Sequence, residues 1–455
     1  MRFLTDAFDR FFRQESSSSV LLLLVTVVTL LLVNVGFYDA YYDLLHQKLT
    51  FGIPGFELSK SLILWINDGL MAIFFFVIGL EVKREILAGE LSNLKKASLP
   101  VIAACGGMLF PVLIYISLNR QPESLHGWAI PMATDIAFSL GILQLLGNRV
   151  PYGLKIFLTA FAIVDDLGAI LVIALFYSSS IHWMLILTAF AIFAFLLALT
   201  LRGYYSKYVF FIGGVVIWIL FLKSGIHATL AGVLIAFAIP IRKQIKVFHF
   251  QRDMQDALDT FKTVSGNEQP KLILTEEQIG AVSTINELTE KVQSPLQELE
   301  NKLHGWVAFV IMPIFAFANA GVLINSESFS NIGLSLIIAT SLLLGNTLGI
   351  SFFCWIAIKL RISSLPQHSR FSQLAAVAVL GGVGFTMSLF ITNLSFEDQA
   401  MIDASKIGIL LGSLVSGLLG YYFLKLSLPP ANENGTTEFR EKLVTETGNS
   451  GKTKS

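Results

Sequence analysis

The segment AIVDDLG at residues 162–168 decides how this chain folds, because it places Asp165 and Asp166 in the middle of an apolar run, 154–177. A run of about 20 mostly apolar residues is long enough to cross a bilayer as a helix. An ionisable side chain at that depth costs roughly 2.5–3.5 kcal/mol on insertion scales and therefore marks a functional site by default. The stretch predicts a membrane-spanning helix with a functional site at its centre.

The composition of the whole chain agrees with a membrane protein. Of 455 residues, 54% are hydrophobic and 14% are charged, whereas a soluble domain carries roughly 25% charged residues. The hydrophobic content also excludes a disordered chain. The 32 basic and 32 acidic residues cancel, so no nucleic-acid partner is expected. Cys105 and Cys354 lie in apolar runs, so no disulfide framework is expected either.

Apolar segments of sufficient length predict an all-α polytopic membrane protein with about 12 transmembrane helices. Lipid cannot hydrogen-bond the backbone, so each crossing has to be helical. The seventh and eighth segments are short and are separated only by Lys223-Ser224. The predicted spans are 18–36, 61–82, 98–118, 128–146, 154–177, 182–201, 208–222, 225–240, 305–324, 332–358, 372–394 and 404–424.

The placement of basic residues sets the orientation. With twelve spans, 27 of the 32 Lys and Arg residues fall on the side that holds both termini and the even-numbered connectors. The positive-inside rule therefore predicts that both termini are cytoplasmic. Residues 1–428 are predicted to form one transmembrane domain, which includes an extended cytoplasmic connector, 241–304, with short amphipathic helices. The tail 429–455 is rich in Thr, Asn, Gly and Glu and is predicted to be disordered.

Two spans carry sequence that interrupts a helix. The fourth contains a proline followed by Thr134-Asp135, and the eleventh contains Gly381, Gly382 and Gly384. Non-helical backbone at membrane depth is tolerated only where it lines a cavity or is buried in protein. Each interrupted span is the middle member of a triplet, spans 3–5 and 10–12. An odd number of spans per unit inverts the second copy, so we predict inverted repeats whose interrupted helices cross near the site.

The aspartate pair has the properties of a site for cations and protons. Asp165 and Asp166 point about 100° apart on a helix, so both can line one cavity. Burial and mutual repulsion each favour the protonated carboxyl, while carboxylate oxygens suit a hard cation such as sodium. A basic span residue could instead neutralise the pair, but such residues are almost absent. Asp135 could act only as structural compensation at a half-helix end.

Other classes of protein also place acids in membrane spans. An intramembrane aspartyl protease needs aspartates on two facing helices with a Gly-x-Gly-Asp segment, whereas Gly382-Val383-Gly384 is followed by Phe385. A transporter of organic anions would need a buried Arg or Lys. An ion exchanger, which is not an enzyme and needs no cofactor, fits the sequence best.

Several motifs resemble those of a known family. They are GLEVKRE at 79–85, ATDIAF at 133–138, AIVDDLG at 162–168, GIHATLAG at 225–232, FAFANAG at 315–321 and GFTMS at 384–388. In this order, over about residues 10 to 425, they resemble the NhaA family of bacterial sodium/proton antiporters. The resemblance implies exchange of internal Na+ or Li+ for external H+, for sodium extrusion and pH homeostasis. It also implies a homodimer in the lipid bilayer of the bacterial inner membrane.

The resemblance also assigns roles to residues of this chain. The matching aspartates, Asp165 and Asp166, would bind Na+ or Li+ in competition with H+, and Thr134 and Asp135 are expected to belong to the same ion-binding site. The unwound segments would include Thr134 and Gly381 to Thr386, with Asp135 offsetting helix dipoles. A cytoplasmic network that senses pH has matching positions in this chain, which are Glu81, Arg84, Glu85, Glu300 and His304.

The sequence departs from the family at two places. The tenth-span pattern has a lysine where this chain has Asn346, so the site is expected to be more negative. We expect Asp165 to keep its proton up to a higher pH and the pH dependence of activation to shift. The number of protons exchanged per sodium is not carried over from the family. In the connector, Asn301 replaces a histidine and Gly305 a proline, which makes pH sensing a weaker inference than ion binding.

Overall fold

Helices account for most of the chain that the structure describes. The computed structural model describes residues 15–53, 56–178, 181–242, 247–265, 274–324 and 331–429. The helices in chain order are α1 Ser17–His46, α2 Leu62–Ala88, α3 Leu94–Leu118, α4 Glu123–Met132, α5 Ile136–Leu145, α6 Tyr152–Phe176, α7 Trp183–Leu201, α8 Lys207–Ser224, α9 Thr229–Ala238, α10 Val247–Ser265, α11 Glu276–Val292, α12 Pro295–Ala320, α13 Ile332–Lys359, α14 Phe371–Leu380, α15 Phe385–Ser395 and α16 Gln399–Ser427.

The predicted all-α polytopic class is confirmed, and the structure refines the number of crossings. Nine of the described helices are long and apolar enough to span a membrane, and two bent pairs raise the number to as many as eleven. The predicted eighth span contains only α9, which has ten residues and is about 15 Å long. That is half of a hydrocarbon core of about 30 Å. Whether the chain crosses the membrane a twelfth time therefore depends on α9. The same helix decides whether the two termini lie on one side.

A β-hairpin was not among the predicted elements. Strand β1, Lys48–Ile53, pairs antiparallel with β2, Phe56–Ser61, and α2 follows at once. The sequence carried a signal for it, because Pro54-Gly55 is a turn dipeptide. The short strands lie between two long apolar helices, so a prediction based on long apolar segments does not include them. The hairpin marks the end of the molecule at which α2 begins.

Both predicted interruptions are present. Helices α4 and α5 form one bent pair at 40°, and α14 and α15 form the other at 45°. In the first pair, Ala133 and Asp135 have extended backbone between the two helices. In the second pair, residues 381–384 separate the helices. The proline and the glycines therefore interrupt these spans as the sequence predicts.

The two interruptions lie against each other and satisfy each other's backbone. Asp135 N–H donates to the Val383 carbonyl over 2.6 Å. The Thr134 hydroxyl donates to the Gly381 carbonyl over 2.9 Å, and the Ser139 hydroxyl donates to the Leu380 carbonyl over 3.0 Å. Groups that a broken helix leaves without partners are thereby paired in a place that water does not reach. The predicted crossing of the interrupted helices is confirmed.

The first members of the two predicted triplets, α3 and α13, also cross each other. Their contact is made at Gly106 and Gly349, where a Cβ on either glycine would overlap the carbonyl oxygen of the other. Small residues permit such close approach of membrane helices. Equivalent members of the two triplets thus meet each other twice, as a repeat predicts, while the inversion itself stays a prediction.

The connector contains the predicted amphipathic helices. Thr275 and Gln278 form a capping box at the start of α11, and Ser294 caps α12 directly before Pro295. Helix α10 in the same connector was not predicted. Apart from Pro429, the tail that the sequence predicts to be disordered lies outside the described residues.

Candidate functional site

The aspartate pair lies where α6 passes the crossing of the interrupted helices. Asp165 and Asp166 are each 1% exposed. The Thr134 N–H, in the unwound segment between α4 and α5, donates to Asp165 Oδ2 over 2.9 Å. The extended backbone at this break frees that N–H from helical bonding and directs it at the carboxylate. The structure therefore brings together Asp165 and the first interrupted span, as predicted.

A cavity of about 500 Å³ reaches the pair from one side of the bundle. Its inner end is lined by residues of α6 and of both interruptions, and these include Asp166, Thr134, Asp135 and Thr386. Asp165 is not one of the lining residues. The expectation that both carboxylates face one cavity therefore holds only for Asp166, because Asp165 turns toward the backbone of the unwound segment.

One oxygen of each carboxyl has no hydrogen-bond partner among the described residues. These atoms are Asp165 Oδ1 and Asp166 Oδ1. A buried polar atom without a partner costs free energy, and for an ionised carboxylate that cost is large. The pair therefore favours binding a proton or a cation, either of which would neutralise it.

Asp135 has a different environment from the pair. It caps the N-terminus of α5 by accepting a hydrogen bond from Phe138 N–H at Oδ1, over 3.2 Å. Its Oδ2 accepts from Thr386 N–H, over 3.0 Å, and from the Thr386 hydroxyl. The carboxylate thus lies at the positive N-terminal ends of both half-helices, α5 and α15. This geometry favours dipole compensation over direct contact with an ion.

The C-terminal end of the half-helix α4 is met by neutral groups. Asn346 Nδ2 donates to the Pro131 carbonyl in the last turn of α4 over 3.1 Å, and to the Leu342 carbonyl over 3.1 Å. The Ser388 hydroxyl donates to the neighbouring Ile130 carbonyl over 2.7 Å. Asn346 is fully buried. Its amide supplies hydrogen bonds at a negative helix end but no charge.

Glycines allow the two interruptions to come this close. A Cβ on Gly384 would lie 2.7 Å from the Ala133 carbonyl oxygen, and a Cβ on Gly382 would lie 2.7 Å from the Leu342 carbonyl oxygen. Gly381 accepts the Thr134 hydroxyl through its carbonyl. The supporting role predicted for these glycines is therefore to let neighbouring backbone segments come close to the interruption.

The five charged residues predicted from the resemblance also meet in space. Arg84 lies 2.5 Å from Glu300 and 3.1 Å from Glu85, and His304 Nδ1 lies 3.7 Å from Glu81. Glu81, Arg84, Glu300 and His304 line the cavity at the end away from the aspartates. Contacts across more than 200 residues of sequence thus place this cluster at the cavity's mouth.

The Arg84–Glu300 ion pair is expected to stabilise the fold. The Glu300 side chain is 9% exposed and that of Arg84 is 37% exposed, so this pair is only partly screened by solvent. Arg84→Gln should lower the free energy of unfolding by roughly 1–3 kcal/mol, between the values for surface and buried pairs. Thermal unfolding of the detergent-solubilised protein measures this. The matched control is Lys96→Gln, which removes an exposed pair with Glu90; equal losses would contradict the prediction.

Some residues that organise the site were not predicted from the sequence. The hydroxyls of Ser139 and Ser388 each bond a carbonyl of the opposite interrupted span. Isolated serines in apolar helices were a possible signal, but most serines in such helices bond their own turn. Only the crossing of the two spans distinguishes these two.

Two crossed, interrupted helices around buried carboxylates, with a cavity reaching them from one side, define an α-helical membrane protein of the secondary-transporter class. The chain belongs to the Na+/H+ antiporter 1 family, whose sequence model matches residues 9–424. The family assignment confirms the predicted resemblance and the prediction that the protein is a transporter rather than an enzyme.

Proteins similar to this chain are named Na(+)/H(+) antiporter NhaA. One from Oleidesulfovibrio alaskensis is 48% identical over 93% of this chain and 95% of its own. One from Bacteroides thetaiotaomicron is 47% identical over 86% of this chain and 90% of its own. One from Yersinia pseudotuberculosis is 43% identical over 94% of this chain and 98% of its own. The similarity extends over nearly the whole length of each relative.

Proposed function

We propose that this protein exchanges internal Na+ for external H+ across the bacterial inner membrane, with Asp165 and Asp166 as the shared binding site. The observation that carries the proposal is a pair of adjacent buried carboxyls, each with an oxygen that has no hydrogen-bond partner among the described residues. One of them, Asp166, lines the inner end of the cavity. The family and the names of the relatives support the choice of ions.

Competition at one site explains how exchange is coupled. A carboxyl that holds a proton offers less charge to Na+, and bound Na+ disfavours protonation. Asp166 meets ions that enter the cavity, and Asp165 completes the site from the side of the unwound segment. Li+ is a second hard cation that suits oxygen ligands, and we propose that it is also carried.

Alternating access follows from the position of the site. The cavity opens toward the cluster of Arg84 and Glu300, and the site must reach the other side after loading. We propose that the crossed helices move as a unit, because the backbone bonds between the two interruptions tie them together. Asp135 would keep both N-terminal helix ends compensated throughout this motion.

We also propose that both termini and the cavity mouth are cytoplasmic. The excess of basic residues on one side supports this orientation. At the cavity mouth the cluster of Glu81, Arg84, Glu85, Glu300 and His304 would adjust activity to internal pH. The proton gradient would then drive Na+ outward. We further propose that the protein works as a homodimer.

Everted membrane vesicles that contain the full chain test the exchange directly. A proton gradient is first established and followed with a pH-sensitive dye. Addition of NaCl or LiCl should release protons and restore the fluorescence, whereas KCl should not. A gradient that neither Na+ nor Li+ dissipates would contradict the proposed function.

A further inference from the structure

Three asparagine side chains from separate helices meet inside the bundle. Asn319 of α12 exchanges hydrogen bonds with Asn67 of α2, over 2.9 and 3.3 Å. Asn393 of α15 donates to Asn319 Oδ1 over 2.7 Å. Asn319 is fully buried, Asn67 is 7% exposed and Asn393 is half-buried. We refer to Asn67, Asn319 and Asn393 as the amide cluster.

The same three helices each contribute a phenylalanine. The ring centroid of Phe390 lies 5.7 Å from that of Phe75 and 6.4 Å from that of Phe315. All three rings are at most 1% exposed. Aromatic rings in such contact, with no exposed surface, leave no path for water or an ion.

The order of residues along each helix separates the cavity from the amide cluster. On α15 the cavity-lining Met387 is followed by Phe390 and then by Asn393. On α12 the last cavity-lining residue is Met312, three positions before the phenylalanine. On α2, which runs in the opposite order, the cavity-lining residue nearest to the amide cluster is Phe74, directly beside Phe75. The cavity therefore ends at the layer formed by Phe75, Phe315 and Phe390, which we call the aromatic layer. The amide cluster lies beyond this layer.

One bond of the amide cluster joins parts of the protein that alternating access would move apart. Helix α15 belongs to the crossed pair that carries Thr386 and contacts Asp135. Helices α2 and α12 lie outside both triplets. The bond between Asn393 and Asn319 therefore links the crossed helices to the surrounding helices, whereas the bonds between Asn67 and Asn319 lie within the surrounding helices.

We propose that the amide cluster is a latch that holds the side of the protein opposite the cavity closed and opens once in each transport cycle. This inference rests on the proposed alternating access. Neutral amides suit a latch because water can replace their hydrogen bonds when it opens, so that breaking the bond is inexpensive. A net hydrogen bond of this kind changes an equilibrium roughly five-fold, enough to bias two conformations without trapping one.

A reporter cysteine between the amide cluster and the aromatic layer detects opening of the latch. Met71 lies one turn from Asn67 and one turn from Phe75 on α2 and is 0% exposed. Met71→Cys is made in a chain in which Cys105 and Cys354 are replaced by serine. A membrane-impermeant maleimide is then applied separately to each face of the membrane. A cysteine at the exposed Glu57 identifies the face that carries the hairpin.

Asn393→Leu should raise the labelling rate of the Met71 cysteine from the hairpin face by roughly five-fold. The matched control is Asn34→Leu, which removes amide hydrogen bonds to Val322 and Ile324. Those bonds join α1 to the segment that follows α12 and do not involve the crossed helices, so labelling should not change. Labelling that is equal in Asn393→Leu and in the parent would overturn the latch.

A second measurement does not depend on how well Asn393→Leu folds. Cysteines at positions 319 and 393, joined by a short reducible thiol cross-linker, should lower exchange at least ten-fold, and reduction should restore it. Exchange that persists in the cross-linked protein would also overturn the latch. Labelling needs no Na+ transport, so an absence of exchange in the parent chain would contradict the proposed function alone.

Discussion

Asp166→Asn is expected to abolish Na+-dependent proton release from everted vesicles, with a loss of roughly 100-fold or more. Asp166 is the member of the pair that lines the cavity, and its Oδ1 has no hydrogen-bond partner among the described residues. Asparagine has nearly the same volume but can neither carry a proton nor offer a full charge to Na+. The packing of α6 against its neighbours should therefore be preserved while both competing reactions are lost.

The matched control for this variant is Asp398→Asn. Asp398 is the exposed N-cap of α16 and accepts a hydrogen bond from Ala400 N–H over 3.3 Å. Asparagine caps helices as well as aspartate does, so exchange and thermal stability should both stay close to those of the parent. Comparable expression of the two variants shows that loss of function in Asp166→Asn is not loss of protein. Exchange that survives in Asp166→Asn would refute the site.

The meeting of the residues that form the candidate site could be predicted from the sequence, because these residues violate a strong local rule. Two carboxylates in the middle of an apolar run, and a proline or several glycines in another, are costly wherever they occur in a membrane. The structure places all of these residues together. Local sequence was sufficient for this prediction because the free-energy cost of each such residue arises within its own span.

Contacts between distant segments could not be predicted in the same way. The helical spacing of Asp165 and Asp166 allows both to face a cavity, but the hydrogen bond from Thr134 turns Asp165 toward backbone. Asn67, Asn319 and Asn393 lie in three separate spans, and nothing within any one of those spans indicates the others. Helix α9 is a similar case: α8 ends with its C-cap at Gly225, which has a positive φ of 84°, and α9 begins only at Thr229.

Asn346→Lys is expected to move the pH dependence of exchange and to change the charge moved in each cycle. In the present structure the positive ends of α5 and α15 are compensated by the carboxylate of Asp135. Among the described residues, the side chains that bond the negative end of α4 are the neutral amide of Asn346 and the Ser388 hydroxyl. The two kinds of helix end are thus compensated unequally, and a lysine would add the missing positive charge.

The direction of the shift follows from electrostatics. A cation close to a carboxyl favours its ionised form, so the lysine variant should begin to exchange at lower pH. One pH unit corresponds to about 1.4 kcal/mol of interaction, and we expect a shift of about this size. Proteoliposomes assayed between about pH 6 and 9 give the profile, and an imposed membrane potential gives the charge moved. Asn346→Gln is the control, because it keeps a neutral amide.

A shift in the lysine variant and none in the glutamine variant would separate charge from packing. Gly107 is a neighbour of this side chain, because a Cβ added to Gly107 would lie 3.3 Å from Asn346 Oδ1. Lysine and glutamine are both longer than asparagine and must both fit beside Gly107, so a loss of rate common to both reports only on space. If wild type and Asn346→Lys share one pH profile and one charge per cycle, the helix ends need no charge at this position. In that case the hydrogen bond to the Pro131 carbonyl would be its whole role.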